Sequence, residues 1–278
     1  MFLSTSFALF FLGSLVNAQS SDNAIGIAAI EAHFTGAGLV PSLLTSFDPT
    51  ALMTVTFSGV GAISPGQNLT KDQAAPTPEI TIVPANSTVS LQGNYTLLMA
   101  DADVVGTDES VGQTRHWLVN GVTLTGTNSS LNVSTANGVA VTDYAGPAPP
   151  EGSGPHRYVI LLLPQPSTFS PPANLTQPNV GVSVFHLTDY ISTSHLGAPV
   201  AGMYFDVEQG TATATLSPTS PVISSTLKPA SSGTSTSSGS SPSGSSSSSN
   251  AAIAIRGGHS VFAVPAAVCV LFASYMCL

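Results

Sequence analysis

The amino-acid sequence predicts a mainly β domain, and three observations carry this prediction. Several short segments alternate between apolar and polar residues or are continuously apolar, as strands are. Clusters of Asn, Gly and Pro separate these segments and are typical of turns. No helical pattern alternates with them, which favours an antiparallel sheet over a parallel one. The predicted strands cover residues 52–57, 79–83, 95–100, 116–119, 158–163 and 202–208.

Two helices are predicted at the periphery of this domain. Residues 24–47 carry a weakly helical apolar pattern that Pro41 interrupts. Residues 185–196 place Phe185, Tyr190 and Leu196 at roughly helical spacing. We expect Gly197 to end this second helix, because glycine readily adopts the left-handed conformation that follows a helix.

The N-terminal end differs from the domain in composition. Residues 1–18 combine a short apolar run with the small-x-small sequence Val16-Asn17-Ala18, which indicates a secretory signal peptide. An N-terminal membrane anchor is the alternative, but the apolar run is short for a transmembrane span. The folded domain is expected to occupy residues 22–212.

The C-terminal end has two parts. Residues 213–250 are rich in Ser and Thr, which predicts a disordered, O-glycosylated stalk. Residues 251–278 end in an uncharged apolar tail, and the small residues at 250–252 precede it. This pattern predicts attachment of a GPI anchor at Asn250, with a tail-anchored transmembrane helix as the alternative. The expected location is the extracellular face of the plasma membrane or the cell wall.

Cysteine and glycosylation patterns agree with a secreted domain. Both cysteines, Cys269 and Cys277, fall in the predicted tail, so the domain must be stable without disulfides. Asn-x-Ser/Thr sequences are candidate glycan acceptors and are expected on surface loops. Six are present: Asn68, Asn86, Asn94, Asn128, Asn132 and Asn174.

Charge is sparse and acidic, with five Lys and Arg residues against fourteen Asp and Glu residues and a formal net charge of −9. So few cations exclude a nucleic-acid footprint and a polybasic membrane-binding surface. Two of the five cations, Arg115 and Arg157, stand next to the histidines His116 and His156. This placement points to a site around those histidines.

Three segments place groups that suit an anion at strand ends. Asp101 and Asp103 follow one predicted strand, His116 begins another, and His156 ends a stiff Gly- and Pro-rich loop just before Tyr158. Imidazole N–H groups and backbone amides donate to anions, and a buried carboxylate fixes a histidine tautomer. Taken alone, each residue has an ordinary structural explanation, so the joint pattern carries the prediction of a site.

These segments resemble the phosphatidylethanolamine-binding protein (PEBP) family over about residues 30–210. The resemblance is carried by residues 115–119, Arg-His-Trp-Leu-Val, and residues 154–158, Gly-Pro-His-Arg-Tyr. Ala102 stands where the family has a proline between two aspartates, which makes that turn less rigid. The resemblance implies a PEBP-like antiparallel β-sheet domain with a few peripheral helices. It implies a ligand pocket of Asp101, His116, Gly146, His156 and Tyr158, supported by Asp103, Pro149 and Arg157.

The resemblance implies a non-enzymatic module that binds small anionic or zwitterionic groups such as a phosphoethanolamine headgroup, without cofactor or metal. The alternatives are inhibition of a serine carboxypeptidase and a surface protein whose pocket is unused. The predicted extracellular location disfavours kinase regulation. Two histidines and an aspartate suit zinc binding or acid–base chemistry, but the sequence contains neither H-E-x-x-H nor G-x-S-x-G, which disfavours an enzyme.

Overall fold

The structure of the protein is a computed structural model that describes residues 12–127 and 129–213, together with the isolated residues 222 and 227. The described residues form two α-helices, α1 (Leu12–Gly36) and α2 (Leu187–Thr193), and two 3-10 turns, Glu109–Val111 and Ala173–Leu175. Their eleven strands are β1 (Ala51–Phe57), β2 (Gly61–Ala62), β3 (Gln67–Leu69), β4 (Glu79–Pro84), β5 (Tyr95–Asp101), β6 (Gln113–Thr127), β7 (Ser130–Ser134), β8 (Val139–Thr142), β9 (His156–Pro164), β10 (Ser183–Phe185) and β11 (Ala201–Val207).

The strands pair in the order β2-β1-β4-β7-β6-β5-β9-β11-β3, and β8 and β10 also pair with β6. Neighbouring strands run antiparallel in the described part of the chain, except that β3 and β11 are parallel. The predicted mainly β, antiparallel class is therefore confirmed.

Strand β6 is longer than its hydrophobic pattern predicts. Residues 113–122 pair with β5, β8 and β10, whereas residues 123–127 pair with β7. Gly121 lies just before this change of partner with φ of 81°, a left-handed conformation that glycine adopts without steric penalty. The second half is rich in Thr and Gly, so its apolar pattern gave no indication of a strand.

The core lies on both faces of the central strands. β5 and β9 are buried almost throughout, because their residues are continuously apolar. Phe57 of β1 packs edge-to-face on Phe205 of β11, with ring centroids 5.3 Å apart. Phe34 of α1 stacks on Phe47 at 3.9 Å between centroids, so α1 covers this side of the sheet.

The second helix is shorter than predicted. Phe185 belongs to strand β10, where it pairs with Gln113 of β6. The side-chain oxygen of Gln113 also accepts a hydrogen bond from the backbone N–H of Leu187 at 3.0 Å, so α2 begins at that residue. Pairing with a distant strand thus removes the first residues of the predicted helix.

The prediction that Gly197 ends α2 is wrong. His195 has φ of 57°, and Leu196 N–H donates to Ile191 O at 3.0 Å, which is the Schellman arrangement with His195 in the left-handed position. A Cβ atom on Gly197 would lie 2.6 Å from Pro164 Cγ of β9. Glycine is needed there for close approach to the sheet.

Several predictions concern residues outside the described ranges. These are the stalk residues 214–250 except 222 and 227, the tail 251–278, the proposed anchor residue Asn250 and the glycosylation site Asn128. Helix α1 begins at Leu12, inside the predicted signal peptide 1–18, and cleavage of that peptide stays a prediction. Within the described part of the chain, no helix combines the length and hydrophobicity needed to cross a bilayer.

Candidate ligand-binding site

The ends of three neighbouring strands bring the predicted site residues together. Asp101 is the last residue of β5 and pairs with Tyr158 of β9 and with Thr114 of β6. His156 is the first residue of β9. The three strands are consecutive in the sheet, so residues far apart in sequence meet at one end of it.

His116 lies inside β6, as its fourth residue, rather than at its start as predicted. The pairing with β5 is irregular here, because Met99 faces Trp117 whereas Ala100 faces Arg115. His116 is thus the extra residue of a β-bulge, a feature that redirects a side chain. Its side chain lines a cavity at this end of the sheet.

His156 is held on both ring nitrogens. Nδ1 lies 2.9 Å from Oδ2 and 3.1 Å from Oδ1 of Asp101. Nε2 lies 2.9 Å from the Ser153 hydroxyl and 3.3 Å from Oδ1 of Asp103. The Ser153 hydroxyl donates its own proton to Pro150 O at 2.7 Å, so it accepts from Nε2. Both nitrogens are therefore placed to donate, an arrangement that favours the imidazolium form of the ring.

The pKa of His156 agrees with this charge. Burial lowers the pKa, but the hydrogen bond and charge of Asp101 and the charge of Asp103 raise it, and the net direction is upward from the ordinary histidine value. The expected carboxylate behind a histidine is present, and it stabilises the charged form as well as the ring orientation.

The Asp-Ala-Asp turn is fixed by backbone hydrogen bonds in place of a proline. Oδ1 of Asp101 accepts from the N–H of Asp103 at 2.7 Å, and Ala102 N–H donates to Arg157 O at 2.9 Å. Asp103 has φ of 55°, which is uncommon for a residue other than glycine. The turn keeps both carboxylates on the ring of His156.

His116 is oriented differently. Its Nδ1 lies 3.0 Å from the carbonyl oxygen of Ala145, and since a carbonyl only accepts, Nδ1 carries the proton. Burial lowers the pKa of His116 despite the hydrogen bond with Ala145 and the charge of Asp101. In the neutral ring Nε2 is an acceptor, so neutral His116 does not provide the second imidazole donor that the sequence led us to expect. Donation to an anion by His156 stays a prediction.

Tyr158 lies behind the cavity. Its ring is fully buried and packs edge-to-face on His116, with ring centroids 5.2 Å apart. Its hydroxyl makes no hydrogen bond of acceptable geometry among the described residues, although it is near the Asp101 carboxylate and the backbone of Ala148. Burial and the charge of Asp101 raise the pKa of Tyr158. A buried hydroxyl without a partner is costly, and this one is not among the groups that line the cavity.

Arg157 supports the site from the opposite side of β9. Its guanidinium donates to the backbone oxygens of Ala37, Asp103 and Val104 and to Glu109. Burial lowers the pKa of Arg157, and the charge of Glu109 raises it. Arg157 thus holds the turn that carries the site carboxylates.

The cavity has a volume of about 390 Å³. A slightly larger cavity, of about 430 Å³, lies beside Trp117 and Leu97, but Glu79 is its one charged lining residue in the described chain. The cavity at the strand ends gathers the titratable groups and is the candidate site. Its polar and charged lining residues are Asp101, Asp103, Thr107, Glu109, Thr114, His116 and His156.

Gly146 and Pro149 of the predicted pocket do not line this cavity, and neither do Arg157 and Tyr158. A Cβ atom on Gly146 would lie 3.0 Å from Ala75 Cα, so Gly146 permits close packing of two loops. Pro149 is buried in the loop before β9, and its neighbour Pro150 reaches the cavity.

Sequence reasoning missed Ser153 and Glu109. Ser153 stands between two glycines three residues before His156, a spacing that a turn closes, but nothing local identifies its partner. Glu109 became a site residue through its contact with Arg157, which depends on the fold. Among the described residues, no three His, Cys, Asp or Glu groups are placed to share a metal ion.

The candidate glycosylation sites within the described ranges differ in setting. Asn94 and Asn174 are exposed outside strands. Asn68 and Asn132 are exposed but lie in strands β3 and β7, not in loops as expected. Asn86 is half-buried, and its Oδ1 accepts a hydrogen bond from Thr88 N–H at 2.9 Å. Occupancy of these sites stays a prediction.

The fold and cavity define a β-sheet domain with a cluster of histidines and carboxylates at one end of the sheet. Residues 55–205 match the sequence model of the family described as phosphatidylethanolamine-binding protein. Since this segment is more than half of the 278 residues, the chain belongs to the PEBP family.

Relatives of known name agree with this assignment. The chain is 29% identical over 175 residues to a 26 kDa secreted antigen of Toxocara canis, with 62% of each chain covered. It is 32% identical over 146 residues to the carboxypeptidase Y inhibitor of Saccharomyces cerevisiae, with 44% of this chain and 66% of the yeast protein covered. The chain thus spans just under two thirds of the length of both relatives.

A solved structure shows the same fold. The crystal structure of carboxypeptidase Y inhibitor complexed with the cognate proteinase is similar to this chain with a TM-score of 0.54 and 25% sequence identity. The alignment covers 68% of this chain and 96% of that chain. The predicted PEBP-like fold is confirmed.

Proposed function

We propose that this protein is a non-enzymatic module that binds small phospho-headgroup ligands with both an anionic and a cationic group, such as phosphoethanolamine. The observation that carries this proposal is the position of His156, a doubly hydrogen-bonded imidazolium between Asp101 and Asp103 at the cavity wall. An imidazolium forms charge-assisted hydrogen bonds with a phosphate oxygen.

The charges of the cavity favour a zwitterion over a simple anion. Asp101 and Asp103 contribute two negative charges, His156 contributes one positive charge, and Glu109 is compensated by Arg157. One negative charge is left in excess. A bare anion is repelled by this charge, whereas an ammonium group on the same ligand is attracted by it.

Each end of such a ligand has a partner. The phosphate replaces the Ser153 hydroxyl as the hydrogen-bond partner of His156 Nε2. This hydroxyl is neutral, so it is easily exchanged for a charged ligand oxygen. The ammonium group donates to Asp103, whose side chain is 48% exposed, and to the free Nε2 of neutral His116. The unpaired hydroxyl of Tyr158 lies behind these groups.

An NMR titration of the full chain with O-phosphoethanolamine tests this proposal. We expect saturable shifts at His116 and His156 that exceed those caused by inorganic phosphate or ethanolamine alone. His156→Gln should weaken binding by about tenfold or more, because it removes a charge-assisted bond. His195→Asn is the matched control, since His195 is exposed and asparagine tolerates its left-handed backbone.

Two outcomes would contradict the proposal. An equal response to inorganic phosphate and to phosphoethanolamine would show that the ammonium group contributes nothing. Absence of saturable shifts at millimolar ligand would show that the cavity is unused, as in a surface protein that retains an inherited pocket.

A second candidate function is inhibition of a serine carboxypeptidase. It is supported by the similarity to carboxypeptidase Y inhibitor, both in sequence and in the structure that contains the cognate proteinase. The test is the activity of carboxypeptidase Y with increasing amounts of the full chain. Inhibition that persists in His156→Gln would separate the inhibitory surface from the ligand cavity, and no inhibition at excess protein would reject this function for that enzyme.

We propose further that the protein is secreted and displayed at the cell surface. The predicted signal peptide at residues 1–18, the tail at 251–278 and the relative named as a secreted antigen support this location. Treatment of cells with phosphatidylinositol-specific phospholipase C should release the protein, and Asn250→Leu should reduce its surface amount. A chain that stays membrane-bound after treatment would favour the tail-anchored alternative.

A further inference from the structure

A second cavity lies next to the first but contains different residues. Arg115 follows Thr114 in β6, and whereas Thr114 lines the cavity of His156, Arg115 lines a separate cavity of about 270 Å³. This second cavity lies between β10, α2 and the 3-10 turn Ala173–Leu175. We refer to it as the Arg115 cavity.

Arg115 is a buried cation without a charged partner. Only 1% of its surface is exposed, and no carboxylate lies within 4.0 Å of its guanidinium in the described part of the chain. Its partners are neutral oxygens: Nε donates to Thr142 Oγ1 at 2.7 Å, and Nη2 donates to Gly181 O at 2.9 Å and to Ser183 Oγ at 3.1 Å. Burial lowers the pKa of Arg115, but arginine stays protonated at neutral pH.

Arg157 has the kind of carboxylate partner that Arg115 lacks among the described residues. Arg157 is equally buried and has the Glu109 carboxylate at 3.1 Å. Buried charges in proteins are normally paired, because an isolated charge in a low-dielectric interior is costly. The third nitrogen of Arg115, Nη1, makes no hydrogen bond with any described residue. Arg115 therefore has both the charge and the free donor for an anionic partner.

Apolar side chains form one part of the Arg115 cavity, and polar side chains, including Asp189 and His186, form the rest. The ring of Phe185 lies 5.5 Å from the guanidinium carbon, and Leu175 is buried beside it. Val184 is 66% exposed at the same cavity. The apolar side chains that line it are Pro172, Leu175, Val180, Val184 and Phe185.

We propose that the Arg115 cavity binds a monocarboxylate with a short hydrocarbon chain. The carboxylate accepts from Nη1 of Arg115, and the chain packs against Leu175, Val184 and Phe185. Asp189 also lines the cavity and repels additional negative charge, so a single carboxylate is favoured over a phosphate dianion. A volume of about 270 Å³ holds a ligand of this size. The two cavities share no lining residue, so this site is independent of the headgroup site.

The test is NMR titration of the full chain with hexanoate, observed at the side-chain Nε–H of Arg115 and the ring of Phe185. Hexanoate should cause saturable shifts at both groups, acetate should bind more weakly, and hexanol should leave the Arg115 signal unchanged. The His156→Gln variant should bind hexanoate as the unmodified chain does. Replacing Arg115 itself is avoided, because that change would remove a buried donor to the Thr142 hydroxyl, Gly181 O and the Ser183 hydroxyl.

Val184→Asp supplies a variant that leaves the fold intact, because this side chain is exposed on an edge strand. A carboxylate at this position should weaken hexanoate binding about fivefold by repulsion. Val139→Asp on β8 is the matched control, since Val139 is 40% exposed and lies outside both cavities. The proposal is overturned if hexanoate causes no saturable shift at Arg115, if inorganic phosphate binds as tightly as hexanoate, or if both aspartate variants act equally.

Discussion

Arg157 places its guanidinium 3.1 Å from the Glu109 carboxylate, and both side chains are more than nine-tenths buried. The same guanidinium donates to Ala37 O at the end of α1 and to Val104 O after the Asp-Ala-Asp turn. One side chain thus joins a helix, the site turn and the 3-10 turn that begins at Glu109. The stability of the site and that of the domain are coupled at this residue.

Replacing Arg157 with methionine should destabilise the domain by about 3–5 kcal/mol, because it leaves the buried Glu109 carboxylate unpaired. Urea unfolding measures the effect. Arg157→Met combined with Glu109→Gln should recover part of the loss, since the orphaned charge is then removed. A loss below about 1 kcal/mol in the single variant would show that the pair is not structural.

Ala102→Pro should destabilise this protein, although a proline is the family residue at that position. Ala102 is 1% exposed, and its N–H donates to Arg157 O at 2.9 Å, a bond that proline cannot make. The expected loss is about 1–3 kcal/mol by denaturant unfolding. Ala102→Gly keeps the N–H and is the control. If the proline variant is as stable as the original chain, the turn is free to adopt another conformation.

Trp117→Ala should cost about 3–5 kcal/mol of stability, as truncation of buried aromatic side chains does. Trp117 is 6% exposed and packs edge-to-face on Tyr144, with centroids 5.2 Å apart. Thermal or urea unfolding gives the value. Val111→Ala, at a side chain that is 65% exposed, should change stability little. Equal effects of the two substitutions would place Trp117 outside the core.

Because Asp206 is partly buried, we expect the free energy of unfolding to decrease as the pH rises from acidic to neutral. One of its oxygens is buried without a hydrogen bond among the described residues, and burial raises its pKa to about 7 even though the charge of Arg157 lowers it. An unfolded Asp titrates near pH ~3.9, so between these two values the folded state binds more protons and loses stability as pH rises.

Asp206→Asn should flatten this pH dependence and raise stability above neutral pH by on the order of 2 kcal/mol. Urea midpoints measured across the pH range check it, with the exposed Asp143→Asn as control. A slope unchanged in Asp206→Asn would assign the pH dependence to other groups.

Headgroup binding should weaken as pH rises. The imidazolium of His156 is the form that donates to phosphate, and its pKa is raised, so binding should persist above the ordinary histidine pKa of ~6.5 and be lost as pH passes the raised value. Affinity for phosphoethanolamine measured against pH, corrected for the ligand's own titration, checks this. Constant affinity through mildly alkaline pH would show that His156 charge does not contribute.

The sequence predicted those features that depend on local pattern. Buried strands such as β5 and β9 were recognised because their apolar runs are continuous. Short strands such as β2 and β10 were missed, because two or three residues are too few to show an alternating pattern. The bulge at His116 arises from register with β5, and register is set by the whole sheet rather than by residues near the histidine.

For the candidate site, too, the sequence predicted what depends on local pattern but not what depends on tertiary contacts. The motif residues Asp101, His116 and His156 were predicted to lie together, and the structure brings them to one cavity. Their protonation was not predictable, because it depends on partners such as Ser153 and Ala145 that only the folded loops supply.

Burial of both arginines also affects the rate at which the protein associates with other charged molecules. Among the described residues the cations are Lys71, Arg115 and Arg157, and the two arginines are hidden inside, which leaves Lys71 as the fixed positive charge on that surface. The fixed charges on the surface of the described residues are therefore almost all negative. Encounters with a basic protein surface are accelerated by long-range attraction and slow down as ionic strength increases, whereas acidic surfaces are kept away.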